Sequence, residues 1–321
     1  MNFRCSLAAV FCLLCHGAYT ATAADYPAKP IRMIVPNVSG GLADIAARVV
    51  AGKLSETLGQ QVVVDNRAGA GSTIGTAMAA RAPADGYTLL TVFDSHATNP
   101  HLFKNLEYDT LKDLAPIALM VRGPLLLAVH PKTGVKTTQD MVQLAKSRPG
   151  DIKFATVGPG SPARLLMEML KVEARIDVIN VPYRGAAPAV TDLIGGHTDA
   201  MFATIPTLNP HIRAGRLNAV AITSAKRSSV MSGVPAMSEQ YPGFVAESWV
   251  GMLAPAQTPR HIITRLNSET LKILAQAEIR ARFAELGYET AGGTPAQFEQ
   301  WIRGETERWG TLIRAQKITL E

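Results

Sequence analysis

The chain has 321 residues, 47% of them hydrophobic and 18% charged, enough to build one large or two modest cores. Its formal charge of +6 is scattered among acids, without the basic stripe interleaved with aromatics that nucleic acid requires. The only three cysteines, Cys5, Cys12 and Cys15, lie at the start, so disulfides, thiol catalysis and Cys-ligated zinc are excluded downstream.

The first 24 residues read as an export signal. Arg4 supplies the positive region and Leu7 to Cys15 an apolar stretch shorter than the roughly 20 residues a bilayer span needs. Ala21-Thr22-Ala23 and Thr22-Ala23-Ala24 both fit the small-x-small cleavage pattern, which predicts cleavage near Ala23 or Ala24 and an exported, periplasmic chain. Cys15 follows Leu13-Leu14 rather than small residues, which argues against a lipid anchor.

Beyond the signal, strand-like and helix-like patterns alternate. Ile31–Pro36 is an apolar run, followed by Asn37-Val38-Ser39-Gly40-Gly41 and then by Leu42–Leu58. In that last segment Ile45, Val49, Leu54 and Leu58 keep a helical spacing, and Gly59 supplies a stop. Further strand patterns are Gln61–Asp65, Tyr87–Phe93, Leu125–Val129, Ile152–Val157, Val178–Val181 and Leu217–Thr223. Thr137-Thr138-Gln139-Asp140 has the form of a capping box with Asp in place of Glu. Pro149-Gly150 ends that helix, Pro83-Ala84-Asp85-Gly86 forms a turn, and Pro188 starts a helix that Gly195-Gly196 closes. The C-terminal third predicts two helices over Pro259–Leu286, broken near Ala277, and one over Pro295–Gln316. Alternation of this kind predicts parallel sheets with helices on both faces, an α/β class.

Two glycine-bearing turns stand at matching places, each between a strand and a helix. The first is Val38-Ser39-Gly40-Gly41; the second is Gly158-Pro159-Gly160-Ser161, before Pro162-Ala163-Arg164-Leu165. A helix N-terminus offers unpaired backbone N–H groups and the positive end of the dipole, so both turns suit an anion. Gly158–Ala163 formally matches a dinucleotide fingerprint, but no acid ends a following strand at ribose distance. No Ser has glycines two residues to either side, there is no phosphate loop of the Walker type, and no pair of His residues has metal spacing. No cofactor or metal is expected. A secreted enzyme is the weakest of the readings.

The residues Tyr26-Pro27-Ala28-Lys29-Pro30-Ile31-Arg32, Val64-Asp65-Asn66-Arg67 through Gly71, Pro83 to Leu90, Asn99-Pro100, Val181 to Gly185, Asp192 to Gly196, Thr223 to Arg227, Trp249 and Leu253-Ala254-Pro255 form an ordered set. Through them the chain resembles the Bug family, extracytoplasmic solute receptors of tripartite tricarboxylate transporters. The resemblance implies a two-lobed, type II periplasmic binding protein with a central cleft. Lobe 1 comprises 25–122 and 247–321 and lobe 2 comprises 123–246, with crossings near Val121–Pro124 and Ala246–Gly251. It implies a small carboxylate ligand (a di- or tricarboxylate, an acidic amino acid or an aromatic acid), a monomeric receptor, and membrane subunits as partners. A variant of the same reading has the liganded form signal to a membrane sensor kinase.

The resemblance assigns carboxylate binding to Val38, Ser39, Gly40 and Gly41 from one lobe and to Gly158, Gly160 and Ser161 from the other, with a hydroxyl from Ser161. Asp44 has both a helix-stabilising and a ligand-binding reading. Ser95 and His96 follow a strand end, as do Tyr183 and Arg184, where a cleft is expected. Three positions depart from the family pattern: Asn37, Arg164 and Ala203. An alanine at 203 removes an acid that would favour an amino-acid ligand. Arg164 either pairs with a second carboxylate or is a solvated helix residue.

Overall fold

The computed structural model describes residues 26–158 and 160–320. The signal and its cleavage sites lie outside the described residues.

Strand β1 (Ile31–Val35) runs into α1 (Leu42–Leu58), which Gly59 ends in a left-handed cap. Then come β2 (Val62–Asn66), α2 (Thr73–Ala80), β3 (Thr88–Phe93) and α3 (Ser95–Leu102). The long β4 (Leu114–Val129) follows, then α4 (Thr138–Ser147), whose Thr137 and Asp140 form the predicted capping box. Next are β5 (Lys153–Thr156), α5 (Pro162–Ala174), β6 (Ile179–Pro182), α6 (Ala186–Ile194), β7 (Ala200–Thr204), α7 (Ile205–Arg213) and β8 (Asn218–Ile222). The chain ends with β9 (Glu247–Pro255), α8 (Arg260–Ala275), α9 (Ala277–Glu285), β10 (Glu289–Gly292) and α10 (Pro295–Ala315).

The strands form a mixed arrangement, not the wholly parallel one expected. Pairing is parallel between β1 and both β2 and β3, and between β5 and both β6 and β7. It is antiparallel wherever β4 or β9 takes part. Strand β4 serves two sheets. Its first part, to Pro124, pairs with β9 and β10; from Leu125 onward it pairs with β7 and β8. The change of partner falls between Pro124, opposite Glu247, and Leu125, opposite Thr204.

Buried Thr223 ties the second connection to this point. Its hydroxyl donates to the Ala246 carbonyl at 2.6 Å and accepts from the Leu125 amide at 2.9 Å. Beside it, Gly123 permits a close approach: a Cβ there would lie 2.7 Å from the Gly287 carbonyl oxygen. The result is a two-sheet α/β fold in which each sheet carries helices on both faces.

Three apolar clusters fill the spaces between layers. One lies beneath α1, α8 and α9, and a second beneath α6 and α7. The largest runs under α3, α10, α4 and α5 across both sheets, with Phe154, Phe202 and Phe244 stacked about 6 Å apart. Trp249 meets Phe298 edge-on at 5.9 Å within it, one of the aromatic geometries that adds to plain burial.

Candidate functional site

The first turn is anchored from below. Asp44, in the first turn of α1, is only 3% exposed. Its carboxylate accepts from the Gly40 amide at 2.9 Å, from Arg48 Nε at 3.0 Å and from Asn66 Nδ2 at 3.0 Å. Burial works against its ionisation, but the Arg48, Gly40 and Asn66 donors together hold its pKa below the ordinary carboxylate range. Asn66 also donates to the Asn37 carbonyl, so the end of β2 fixes the turn after β1.

These bonds leave a specific set of donors. The Val38 amide is taken by Asn37 and the Gly40 amide by Asp44. The first helical bond runs from the Ile45 amide to the Gly41 carbonyl, and Gly41 supplies no side-chain cap. Among the described residues the amides of Ser39, Gly41, Leu42, Ala43 and Asp44 therefore have no protein partner.

The second turn is more self-contained. Ser161 caps α5: its hydroxyl accepts from the Arg164 amide at 3.2 Å and donates to the Gly158 carbonyl at 2.8 Å. The hydroxyl expected to face a ligand is thus occupied within the turn. Pro162 has no N–H, and the Ser161 amide bonds the Gly158 carbonyl. Among the described residues the amides of Gly158, Gly160 and Ala163 have no protein partner.

The Arg164 guanidinium sits 2.7 Å from Glu168, a buried carboxylate one helical turn on, while its Nε is buried with no hydrogen-bond partner among the described residues, so it is not a solvated helix residue. Tyr183 donates to Asp192 at 2.7 Å; burial and that carboxylate push its phenol up to about 12. Arg184 is exposed, forms no ion pair among the described residues, and precedes α6, whose N-cap Gly185 offers no side-chain cap.

Ser95 is half-buried at the start of α3. His96 is fully packed, its ring parallel to Tyr108 at 6.4 Å, and burial pushes its pKa down to about 4. Ala203 lies in the cluster beneath α6 and α7, with Tyr183 packed against it. The ring of His96 and the methyl of Ala203 thus belong to cores. Two buried residues close to Ser95 and His96 in sequence make contacts that reach distant segments. Asp94, just before Ser95, accepts from Ser248 Oγ at 2.7 Å, and Thr98 Oγ1 reaches the Gly160 carbonyl. Among the described residues no three His, Asp or Glu side chains form a metal site, and no helix is long and apolar enough to cross a membrane.

A family model described as the tripartite tricarboxylate transporter family receptor matches residues 46–318. The chain belongs to that family. The receptor is 40% identical over 300 residues to Protein BugT of Bordetella pertussis, covering 92% of each chain. Among solved structures it is similar to an R. palustris protein solved with adipate, at 32% identity and a TM-score of 0.84, covering 92% of this chain and 100% of the other. It is also similar to MatC of Rhodopseudomonas palustris with bound malate, at 30% identity and a TM-score of 0.78, covering 90% and 100%. These likenesses run the length of the two-sheet fold and establish it as that of periplasmic solute-binding proteins.

Proposed function

We propose that the receptor works in the periplasm, captures a small dicarboxylate between two lobes, and delivers it to the membrane subunits of a tripartite transporter. The lobes comprise residues 25–122 with 247–321, and residues 123–246. The switch of β4 from one sheet to the other at Pro124–Leu125 supports that division.

The observation that carries the proposal is the run of unpartnered amides at the head of α1, held in place by a carboxylate that is itself fully engaged. One ligand carboxylate sits there. Hydrogen bonds to a charged group contribute about 1.5–3 kcal/mol each. Four of them give about 6–12 kcal/mol, on the order of the roughly 8 kcal/mol of micromolar binding before association costs are subtracted. Arg184, exposed and without an ion pair among the described residues, meets the second carboxylate; Arg164 already pairs with Glu168 through one guanidinium nitrogen. Relatives solved with adipate and malate support a ligand of this size and charge. The protein acts as a receptor and performs no chemistry on its ligand.

Calorimetric titration with malate and adipate, followed by uptake measurements in a strain lacking the receptor, tests this reading. Saturable one-site binding and loss of uptake are expected. Conversion of the bound acid to a product overturns it.

A further inference from the structure

Gly160 is a glycine for a reason outside its own turn. Gly158, two residues earlier, has a φ of +100°, a backbone conformation that itself favours glycine. At Gly160 the constraint is space: a Cβ there would stand 2.5 Å from Leu102 Cδ1 and 3.3 Å from Thr98 Oγ1. Both neighbours belong to α3, which follows a strand of the other sheet. Thr98 is fully buried and Leu102 nearly so, packed in the large core, so neither side chain has free space to retreat into. Thr98 Oγ1 also reaches the Gly160 carbonyl at 3.4 Å, sharing its proton with the Ser95 carbonyl.

We infer that the seating of Gly160 on Thr98 and Leu102 is a closure latch, a contact that forms only when the lobes approach and that requires the absence of a side chain at 160. The inference rests on the two-lobed reading above and adds the surface on which closure stops. Leu102 and Thr98 are positioning residues: they set where the second turn halts and so where its remaining amides stand. Ser161 ties Gly158 to the first turn of α5 through its hydroxyl, so Gly160 is followed by a capped helix end where it meets α3.

The three cysteines all fall within the predicted signal, so a single cysteine can be placed in each lobe and labelled cleanly. Lys112→Cys and Ser147→Cys, both at exposed positions, serve for single-molecule energy transfer in ligand-free protein. The wild type is expected to show a closed population. Gly160→Ala lowers its ratio to the open form about tenfold, within the usual range for overpacking, and Gly160→Val lowers it further. Leu102→Ala restores closure to the Gly160→Ala variant, an outcome that plain damage to the turn does not produce.

Thermal melts of the whole protein confirm that the variants remain folded. Should Gly160→Val unfold, Gly160→Ala with and without Leu102→Ala decides alone. A wild type without a closed population, a Gly160 variant that closes as often as the wild type, or absence of rescue by Leu102→Ala overturns the latch. None of these readouts needs a ligand, so failure of malate and adipate to bind counts against the carboxylate reading alone.

Discussion

Replacing Asp94 by Asn should reverse part of the pH dependence of stability. Asp94 is buried between α3 and β9, accepts from Ser248 Oγ at 2.7 Å and from the Trp249 amide, and has no ion-pair partner among the described residues. Burial, reinforced by the nearby Glu305 carboxylate, pushes its pKa up to about 7. In the unfolded chain the value is about 3.9. Between those values the folded state holds a proton that the unfolded state releases. The group's contribution is fully present below about pH 4 and is lost as pH rises through about 7.

The gap corresponds to at most about 4 kcal/mol. Asn has nearly the same shape and no charge at any pH, and its carbonyl oxygen still accepts from Ser248. Denaturant unfolding of both proteins should show similar stability near pH 4, an Asn variant ahead by about 1.5 kcal/mol at pH 5, and one ahead by up to about 4 kcal/mol at pH 8. Glu247, raised by burial, contributes the same slope to each protein and cancels in the difference; Glu305, which faces Asp94, is coupled to it and its response is part of the difference. Parallel pH profiles for the two proteins would refute the reasoning.

Asp44→Ala removes the acceptor shared by Gly40, Arg48 and Asn66; unfolding titrations should show a loss of about 2–4 kcal/mol, and titration with malate a weaker affinity as the first turn loosens. Because the Asp44 pKa lies below the ordinary range, its contribution in the wild type is present at neutral pH and fades in acid, opposite in sign to Asp94. Ser161→Ala deletes the cap of α5 and should cost about 1 kcal/mol in the same unfolding assay, with little change in affinity because the hydroxyl serves the turn. Gly251→Ala would place a Cβ about 2.0 Å from the Phe298 ring in the core, so a loss of several kcal/mol or failure to fold is expected, read by circular dichroism and yield.

The elements that could be read from sequence are those whose causes are local. The helical spacing in α1, its Gly59 stop, the Thr137 capping box and the break between α8 and α9 each depend on residues within a few positions of one another. The first half of β4, all of β7 and β10, and the strand character of β9 were not read. Their runs are short or interrupted by Pro and Gly, and what makes them strands is pairing with segments up to 170 or so positions away.

The site divides along the same line. Both turns were visible as helix N-termini, because a strand, a glycine and a helix follow one another in the chain. The engagement of Asp44 by Asn66, of Arg164 by Glu168 and of Gly160 by Thr98 depends on packing that no spacing announces. His96 shows the limit clearly: a strand end places it near a cleft, but the fold turns its ring onto Tyr108.

Titration of the processed, ligand-free receptor with malate and adipate by calorimetry tests the central claim most directly. Saturable binding of one acid per chain with a dissociation constant near or below the micromolar range, weakened by Arg184→Ala, is predicted. Absence of heat with both acids and with a wider set of small di- and tricarboxylates would contradict it.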